Sequence, residues 1–213
     1  KAHIALTGQL LQGNTPELRT AVRAHIRDYP RDVLIAQLAT SVFGLIGFSG
    51  EVAREAELLA YTESLLPHYG EDWWMLAAHA ISLCETGKLA QSDAVMDRAL
   101  ALNPRNANGA HFRGHALYEQ GRTAEGRAYL SDWAADYDPR GNMHGHLQWH
   151  LALWALHAGD AEAMWAVFDT AVAPDAPHIG GAIPINTLTD TASLLFRAEL
   201  AGHEIDPARW AQI

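Results

Sequence analysis

The feature that most constrains the fold is a sequence pattern that recurs after 34 residues. Each copy carries an apolar stretch of helical length, a turn glycine, a second such stretch and then a proline. Corresponding positions hold similar residues: Ala80 and Gly114, Leu83 and Leu117, Gly87 and Gly121, Met96 and Leu130. A unit of this kind buries its apolar face only against the next copy, so the pattern predicts a stack of helix pairs.

A helix–turn–helix unit of this period is the tetratricopeptide signature. Hydrophobic residues make up 49% of the chain, and Pro and Gly occur only as short punctuation, which favours helices throughout. We therefore predict an all-α fold, a right-handed array of antiparallel helix pairs of the tetratricopeptide-repeat α-solenoid type. We treat residues 1–213 as one such domain. A longer parent protein is left open, because the sequence does not begin with Met.

Helix boundaries follow from prolines, glycines and capping residues. We expect Asp32 to cap a helix whose apolar stripe reaches Leu45, and Pro67 to close the helix after it. A Pro- and Gly-rich stretch over 174–184 separates the last two long helices. The segments predicted to be helical are 16–29, 32–45, 52–66, 73–85, 89–102, 144–157, 161–172 and 187–200.

The formal net charge of −10 argues against a nucleic-acid partner, because phosphate binding depends on clustered Lys and Arg. No apolar run approaches the roughly 18 residues that a membrane-spanning helix needs. We predict a cytoplasmic protein that binds neither nucleic acid nor membrane, with its oligomeric state left open. The single cysteine, Cys84, excludes an intrachain disulfide and a Cys-rich zinc site.

Two histidine pairs are not required by the repeat. His111 and His115 are four residues apart, as are His146 and His150, so each pair shares one helix face. The repeat register places both pairs on first helices, whose corresponding positions line the concave groove of tetratricopeptide arrays. Because successive first helices pack side by side, we predict that the four imidazoles meet in that groove.

Such a groove could hold a ligand or a metal. Two His-x-x-x-His pairs, or one pair with a carboxylate, make up a shell that suits Zn or Fe. The carboxylates considered as further ligands or as a general base are Glu119, Asp169 and Asp190, and Trp149 is expected to form a wall of the groove. The alternative is that these histidines are ordinary core residues. The remaining histidines considered are interpreted as ordinary: His25, His68, His79, His157, His178 and His203.

Four segments resemble the family of tetratricopeptide-repeat protein 38. They are YPRD at 29–32, HFRGHALYEQGRTAEG at 111–126, HLQWHLAL at 146–153 and DTASLLFR at 190–197. The sequence departs from the family pattern at Gln148 and Phe196, where Trp is more frequent. The resemblance implies the helical-repeat fold and a shared groove, and it singles out Asp190, but it implies no activity.

Two functions of different class therefore stand. The first is a binding or scaffold protein that takes a peptide, a protein or a small molecule in the histidine-lined groove, since most helical repeats of this period are scaffolds. The second is a metal-dependent or histidine-based enzyme, with Asp190 or Glu119 as base. Motifs of serine hydrolases, P-loops and dinucleotide folds do not occur, and whether the chain is an enzyme is left open.

Overall fold

The computed structural model describes residues 2–177 and 184–213, and within these ranges the chain is helical, with no β-strand. It separates into two compact units, Lys1–Glu119 and Gln120–Ile213. The helices of the first unit are α1 (Ala2–Gln12), α2 (Thr15–Asp28), α3 (Val33–Ala36), α4 (Arg54–Tyr69), α5 (Trp73–Glu85), α6 (Leu89–Leu102) and α7 (Ala107–Glu119). Those of the second are α8 (Thr123–Ala135), α9 (His144–His157), α10 (Ala161–Val167), α11 (Pro184–Leu200) and α12 (Pro207–Trp210).

The predicted all-α fold of helix pairs, an α-solenoid of tetratricopeptide type, is confirmed. Gly87 joins α5 to α6 with φ +74°, and Gly159 joins α9 to α10 with the same value. An L-residue with a side chain is sterically disfavoured in this left-handed conformation. Glycine adopts it without strain, so the chain can leave one helix and turn toward the next at a single residue. The prediction of a single domain over 1–213 stays a prediction.

The first unit is built around α5, in which every residue from Met75 to Cys84 is buried. Small side chains let the neighbouring helices approach: Ala77 and Ala80 pack with Met96 and Ala99 of α6. A larger cluster joins α1, α2, α3 and α4 to the start of α5, with Leu6, Leu18, Val22, Ile26, Ile35, Leu58 and Met75 among its members. Burial of these side chains is the main stabilising term of the unit.

Two helix predictions in the first unit are wrong. The helix after Asp32 ends at Ala36 and continues only as one 3-10 turn, Gln37–Ala39. The chain then folds back so tightly that a Cβ on Gly47 would lie 2.4 Å from the carbonyl oxygen of Val42. Pro67 does not close α4, which runs to Tyr69 with Gly70 as its C-cap. Pro67 lacks one backbone N–H donor in the last turn, but the N–H of Gly70 still donates to the carbonyl of Leu66, so the helix continues past the proline.

The second unit has α9 at its centre, in contact with α8, α10 and α11. Its core contains Ala152, Met164, Phe168, Leu194 and Leu195. The predicted helix 161–172 is regular only to Val167, and Phe168–Val172 forms a wider π-helical turn. The hydroxyl of Thr191 donates to the carbonyl of Val172 at 3.0 Å and ties α11 to this turn.

Part of the predicted Pro- and Gly-rich stretch, 178–183, lies outside the described residues, and with it His178. None of the helices in the two described ranges is both long and apolar enough to cross a lipid bilayer.

Candidate functional site

The first histidine pair lies on α7. The Nε2 atoms of His111 and His115 are 2.9 Å apart, and the two rings meet edge to face, with centroids 4.5 Å apart and planes at 82°. His111 is buried and His115 is half-buried. At this separation the Nε2–H of one ring donates to the Nε2 lone pair of the other.

The second histidine pair lies on α9 and has different surroundings. The ring of His146 stacks on the indole of Trp149 with centroids 5.2 Å apart and planes at 17°. The ring of His150 meets His146 at 4.9 Å and Trp149 at 4.7 Å, both edge to face. All three side chains are half-buried. Together with Asp190 they form what we call the histidine–tryptophan patch.

Asp190, on α11, fixes the orientation of the patch. The Nδ1–H of His146 donates to Oδ2 of Asp190 at 2.8 Å, and both side chains are mostly shielded, at 21% and 14% exposure. A carboxylate on Nδ1 selects the tautomer of a neutral imidazole and holds its ring plane, as carboxylates do behind metal-bound and catalytic histidines. The resemblance to the tetratricopeptide-repeat protein 38 family had singled out the same aspartate.

The indole N–H of Trp149 has unusual hydrogen-bonding surroundings. Its indole Nε1–H is buried and has no hydrogen-bond acceptor among the described residues. A buried donor without an acceptor costs roughly 1–3 kcal/mol, so this N–H favours any group that brings an acceptor to it.

The two other predicted carboxylates have different surroundings from Asp190. Glu119 is exposed at the end of α7. Asp169 forms a two-point ion pair with Arg209 of α12, whose guanidinium also lies 4.4 Å from the ring centroid of Trp165. This pair fastens α12 to the π-helical turn and occupies both oxygens of Asp169.

Cys84 does not have the surroundings of a nucleophile. The side chain is buried on α5, and burial, together with the negative charges of Glu85, Glu119 and Asp93, raises the pKa of its thiol to about 12. The thiol is therefore protonated at neutral pH, whereas nucleophilic cysteines need a lowered pKa.

His79 is an example of a core histidine in this protein. It is buried on α5, and its Nδ1–H donates to the hydroxyl of Thr62 at 3.0 Å, while that hydroxyl donates to the carbonyl of Leu59. Burial disfavours the charged form and lowers the pKa of His79.

The sequence pattern gave no indication of a role for His3. His3 of α1 and His25 of α2 both bond to Asp32. His3 is 29 positions from Asp32, which follows no helix period. His25 is 7 positions from Asp32, but α2 ends at Asp28 between them, so the packing of the helices and not helix periodicity brings the three residues together.

The two predicted pairs belong to different compact units, His111 and His115 to the first and His146 and His150 to the second. Within each unit the structure brings the pair together. That all four imidazoles share one groove stays a prediction.

No family model matches the chain. A solved structure titled "MamA MSR-1 C2" is similar to it, with 14% sequence identity and a TM-score of 0.52 over 78% of this chain and 90% of that one. At this identity the similarity supports the tetratricopeptide-like helical-repeat fold and carries no information about ligands or partners. The finer resemblance to the tetratricopeptide-repeat protein 38 family stays a prediction.

Proposed function

We propose that this chain is a helical-repeat binding protein of the tetratricopeptide-repeat protein 38 type, and that the histidine–tryptophan patch recognises a peptide or protein segment. The observation that carries the proposal is the buried Trp149 N–H without an acceptor among the described residues, set between two imidazoles. A peptide offers a carbonyl oxygen at every residue, and it is the simplest partner for such a donor once a small side-chain movement uncovers the N–H.

The ring arrangement supports the same function. Half-buried aromatic side chains with fixed rotamers lose little conformational freedom on binding and are over-represented at the centres of protein interfaces. His146 is held from behind by Asp190, and its ring in turn supports the indole of Trp149. The patch is therefore ordered before a partner arrives, which reduces the entropic cost of binding.

The test is a selection of displayed random peptides on the wild-type protein, followed by titration of the selected peptides against variants. Trp149→Phe keeps a six-membered aromatic ring and removes the pyrrole ring with its N–H; we expect affinity to fall roughly 3- to 10-fold, mainly through the loss of one hydrogen bond. Trp149→Ala removes the ring as well, and we expect a fall of at least about 30-fold.

The matched control is Trp165→Phe, a tryptophan of the same unit that packs on Phe168 and Arg209. Its effect on peptide affinity should stay within about twofold, because it lies outside the patch. Urea unfolding of each variant separates loss of binding from loss of folding. Peptides that bind wild type, Trp149→Phe and Trp149→Ala equally well would contradict the proposal.

A second candidate is a metal-dependent enzyme, favoured by the 2.9 Å separation of the His111 and His115 nitrogens. Two nitrogens in a tetrahedral zinc shell lie about 3.3 Å apart, given bonds of about 2.0–2.1 Å, so a small rotation would let both bind one Zn or Fe ion. In this candidate the ion would activate water, with Asp190 or Glu119 as base, as the sequence predicts. The hydrogen bond from His146 to Asp190 favours an orienting role for that carboxylate.

Metal stoichiometry of untagged protein tests this candidate. After dialysis against Zn²⁺, bound metal is counted in wild type, His111→Ala, His150→Ala and the double variant. If the two pairs share one ion, each single variant and the double variant lose the same single equivalent. If they bind separately, the double variant loses two. Unchanged metal content in all of them removes the metal-dependent enzyme from consideration.

A further inference from the structure

A cavity of about 690 Å³ opens in the first unit, where the start of α1, the end of α2, the turn before α3 and the last turn of α4 come together. Its polar lining consists of His3, His25, Arg31, Asp32 and His68. The volume lies within the range of about 300–1,000 Å³ that is usual for small-molecule sites, in which a few fixed polar groups orient the ligand. The cavity therefore has the size and the kind of lining that a small ligand needs.

Asp32 fixes the orientation of two imidazoles in this cavity. Its Oδ2 accepts from the Nδ1–H of His3 at 2.9 Å and from the Nε2–H of His25 at 2.8 Å. An aspartate that directly precedes a helix usually accepts instead from a backbone N–H of the first turn, and the side chain of Asp32 makes no such bond. Its carboxylate thus holds the imidazoles, as carboxylates do behind functional histidines.

The two imidazoles differ in how much of each is open to solvent. The side chain of His25 is 7% exposed, and its ring packs on Tyr29 with centroids 5.0 Å apart. The side chain of His3 is 40% exposed. Since the Nδ1 of His3 is bonded to Asp32, the Nε2 on the far side of the ring is the nitrogen that a ligand can reach. His3 is therefore placed to contact a ligand, and His25 to support Asp32.

Arg31 supplies a positive charge that is already held in position. One of its terminal nitrogens donates to the carbonyl oxygen of His68 at 2.7 Å, and its Cζ lies 5.5 Å from the ring centroid of Tyr69. A guanidinium has five N–H donors, so this bond leaves others for a ligand. The formal charges of Arg31 and Asp32 cancel, but Asp32 directs its Oδ2 at the imidazoles, and the guanidinium keeps donors for an anion.

We propose that this cavity binds a small organic molecule through a phosphate monoester group. Arg31, His3 and the imidazole of His68 contact the phosphate oxygens. Asp32 holds the ring of His3 in place, and the organic part of the ligand lies against Tyr29, which also lines the cavity.

Matched proton affinities favour phosphate over other oxyanions. The usual pKa of an imidazole is about 6.5, and the second pKa of a phosphate monoester is about 6. One proton can therefore lie on either the Nε2 of His3 or the phosphate, and a hydrogen bond joins the two groups in both cases. A carboxylate or a sulfate carries no proton at neutral pH, so it can accept only from a charged imidazole.

The test is a calorimetric titration of the intact chain without a tag, near pH 7 and at constant ionic strength, with inorganic phosphate, phenyl phosphate and inorganic sulfate. We expect one equivalent of each phosphate to bind, and phenyl phosphate to bind more tightly because its ring adds contact with Tyr29. Sulfate, although it carries more charge, should bind at least about fivefold more weakly than inorganic phosphate, as for the loss of one hydrogen bond.

Two variants locate the site. Arg31→Gln removes the positive charge and should weaken phosphate binding at least about tenfold, as for the loss of a hydrogen bond from a charged group. His3→Ala should weaken it at least about fivefold, as for the loss of a neutral hydrogen bond. The matched control is Arg27→Gln, because Arg27 is exposed in the last turn of α2 and does not line the cavity. Its effect on phosphate affinity should stay within about twofold, as for an exposed charge outside the site. Urea unfolding of each variant separates loss of binding from loss of folding.

Two results would overturn the proposal. One is a phosphate affinity that is undetectable in wild type, or that is the same in wild type, Arg31→Gln and His3→Ala, since the cavity is then not the binding site. The other is sulfate binding as tightly as inorganic phosphate, which would mean that the cavity responds to negative charge and does not recognise the phosphate group.

Discussion

The two histidine pairs have the same spacing and nearly the same ring geometry, yet their surroundings differ. In both, the rings meet edge to face, at 4.5 Å in the pair on α7 and at 4.9 Å in the pair on α9. On α7 the two Nε2 atoms contact each other. On α9, His146 instead turns its Nδ1 to Asp190 and stacks its ring on Trp149.

The difference shows which level of structure decides the chemistry. The i, i+4 spacing brings two imidazoles together on any helix, so it accounts for what the pairs share. The direction in which the ring of His146 points depends on Asp190 of α11, and that residue is close only because α9 and α11 pack together. A pair whose nitrogens face each other suits a small cation. A pair held by a carboxylate and an indole suits a surface with fixed donors.

The largest expected difference concerns zinc affinity at the first pair. Because the two Nε2 atoms lie 2.9 Å apart, His115→Ala removes one of two adjacent candidate ligands. We expect the affinity of that site to fall at least about 100-fold, the upper end of what losing even an outer partner costs. Competition with a zinc chelator measures it. Equal affinity in wild type and His115→Ala would mean that the α7 pair is no metal site.

Asp190 should matter more to stability than either of the other predicted carboxylates. Asp190→Ala leaves the Nδ1–H of His146 without its acceptor in a site that is only 14–21% exposed, so we expect a loss of about 1–3 kcal/mol. Asp190→Asn keeps an acceptor and should lose less. Urea unfolding gives both values. If Asp190→Ala is as stable as wild type, the bond does not order the patch.

His79 supplies the reference for a histidine without a binding role. Burial lowers its pKa in the folded state, so the unfolded state binds more protons below the ordinary histidine value of about 6.5. This contribution to stability is present above that pH and is lost as the pH falls toward the folded pKa. Unfolding free energies from pH 7.5 to pH 5 should therefore decrease, and less steeply in His79→Leu. A slope unchanged by His79→Leu would assign the pH dependence to the other histidines.

The smallest effect is expected at Asp169. The side chain of Asp169, which pairs with Arg209, is 54% exposed. Exposed ion pairs contribute about 0–1 kcal/mol to the free energy of unfolding. Asp169→Asn should thus change the unfolding free energy by less than about 1 kcal/mol and leave peptide affinity unchanged. A loss of peptide affinity in this variant would extend the binding surface from the patch to α12.

Much of the fold could be predicted from local signals. The boundaries of α5, α6 and α9 agree with the predictions because turn glycines and a following proline mark where these helices must stop. The helix predicted after Asp32 is wrong although its apolar residues keep helical spacing as far as Leu45. The regular turns end at Ala39, and the chain then folds back so that Gly47 lies against Val42. Pro67 misleads because a proline near the end of a helix is tolerated when glycine supplies the terminus three residues later.

The sites could be predicted only as far as helix periodicity reaches. His111 with His115 and His146 with His150 follow from the i, i+4 rule, and Asp190 was included through the resemblance. The contact of His3 with Asp32 spans 29 residues, and Asp32 itself appeared to be a helix cap. Contacts of this kind depend on how α1 packs against α2, which no local pattern encodes.

We propose the histidine–tryptophan patch as the surface that binds a peptide. Its most direct test is NMR of the indole N–H of Trp149 and the imidazoles of His146 and His150 while a selected peptide is added. We predict that these signals shift with the same Kd as binding, while those of Trp165 and His79 stay in place. Saturated binding with the three patch signals unmoved would mean that the peptide binds to another surface.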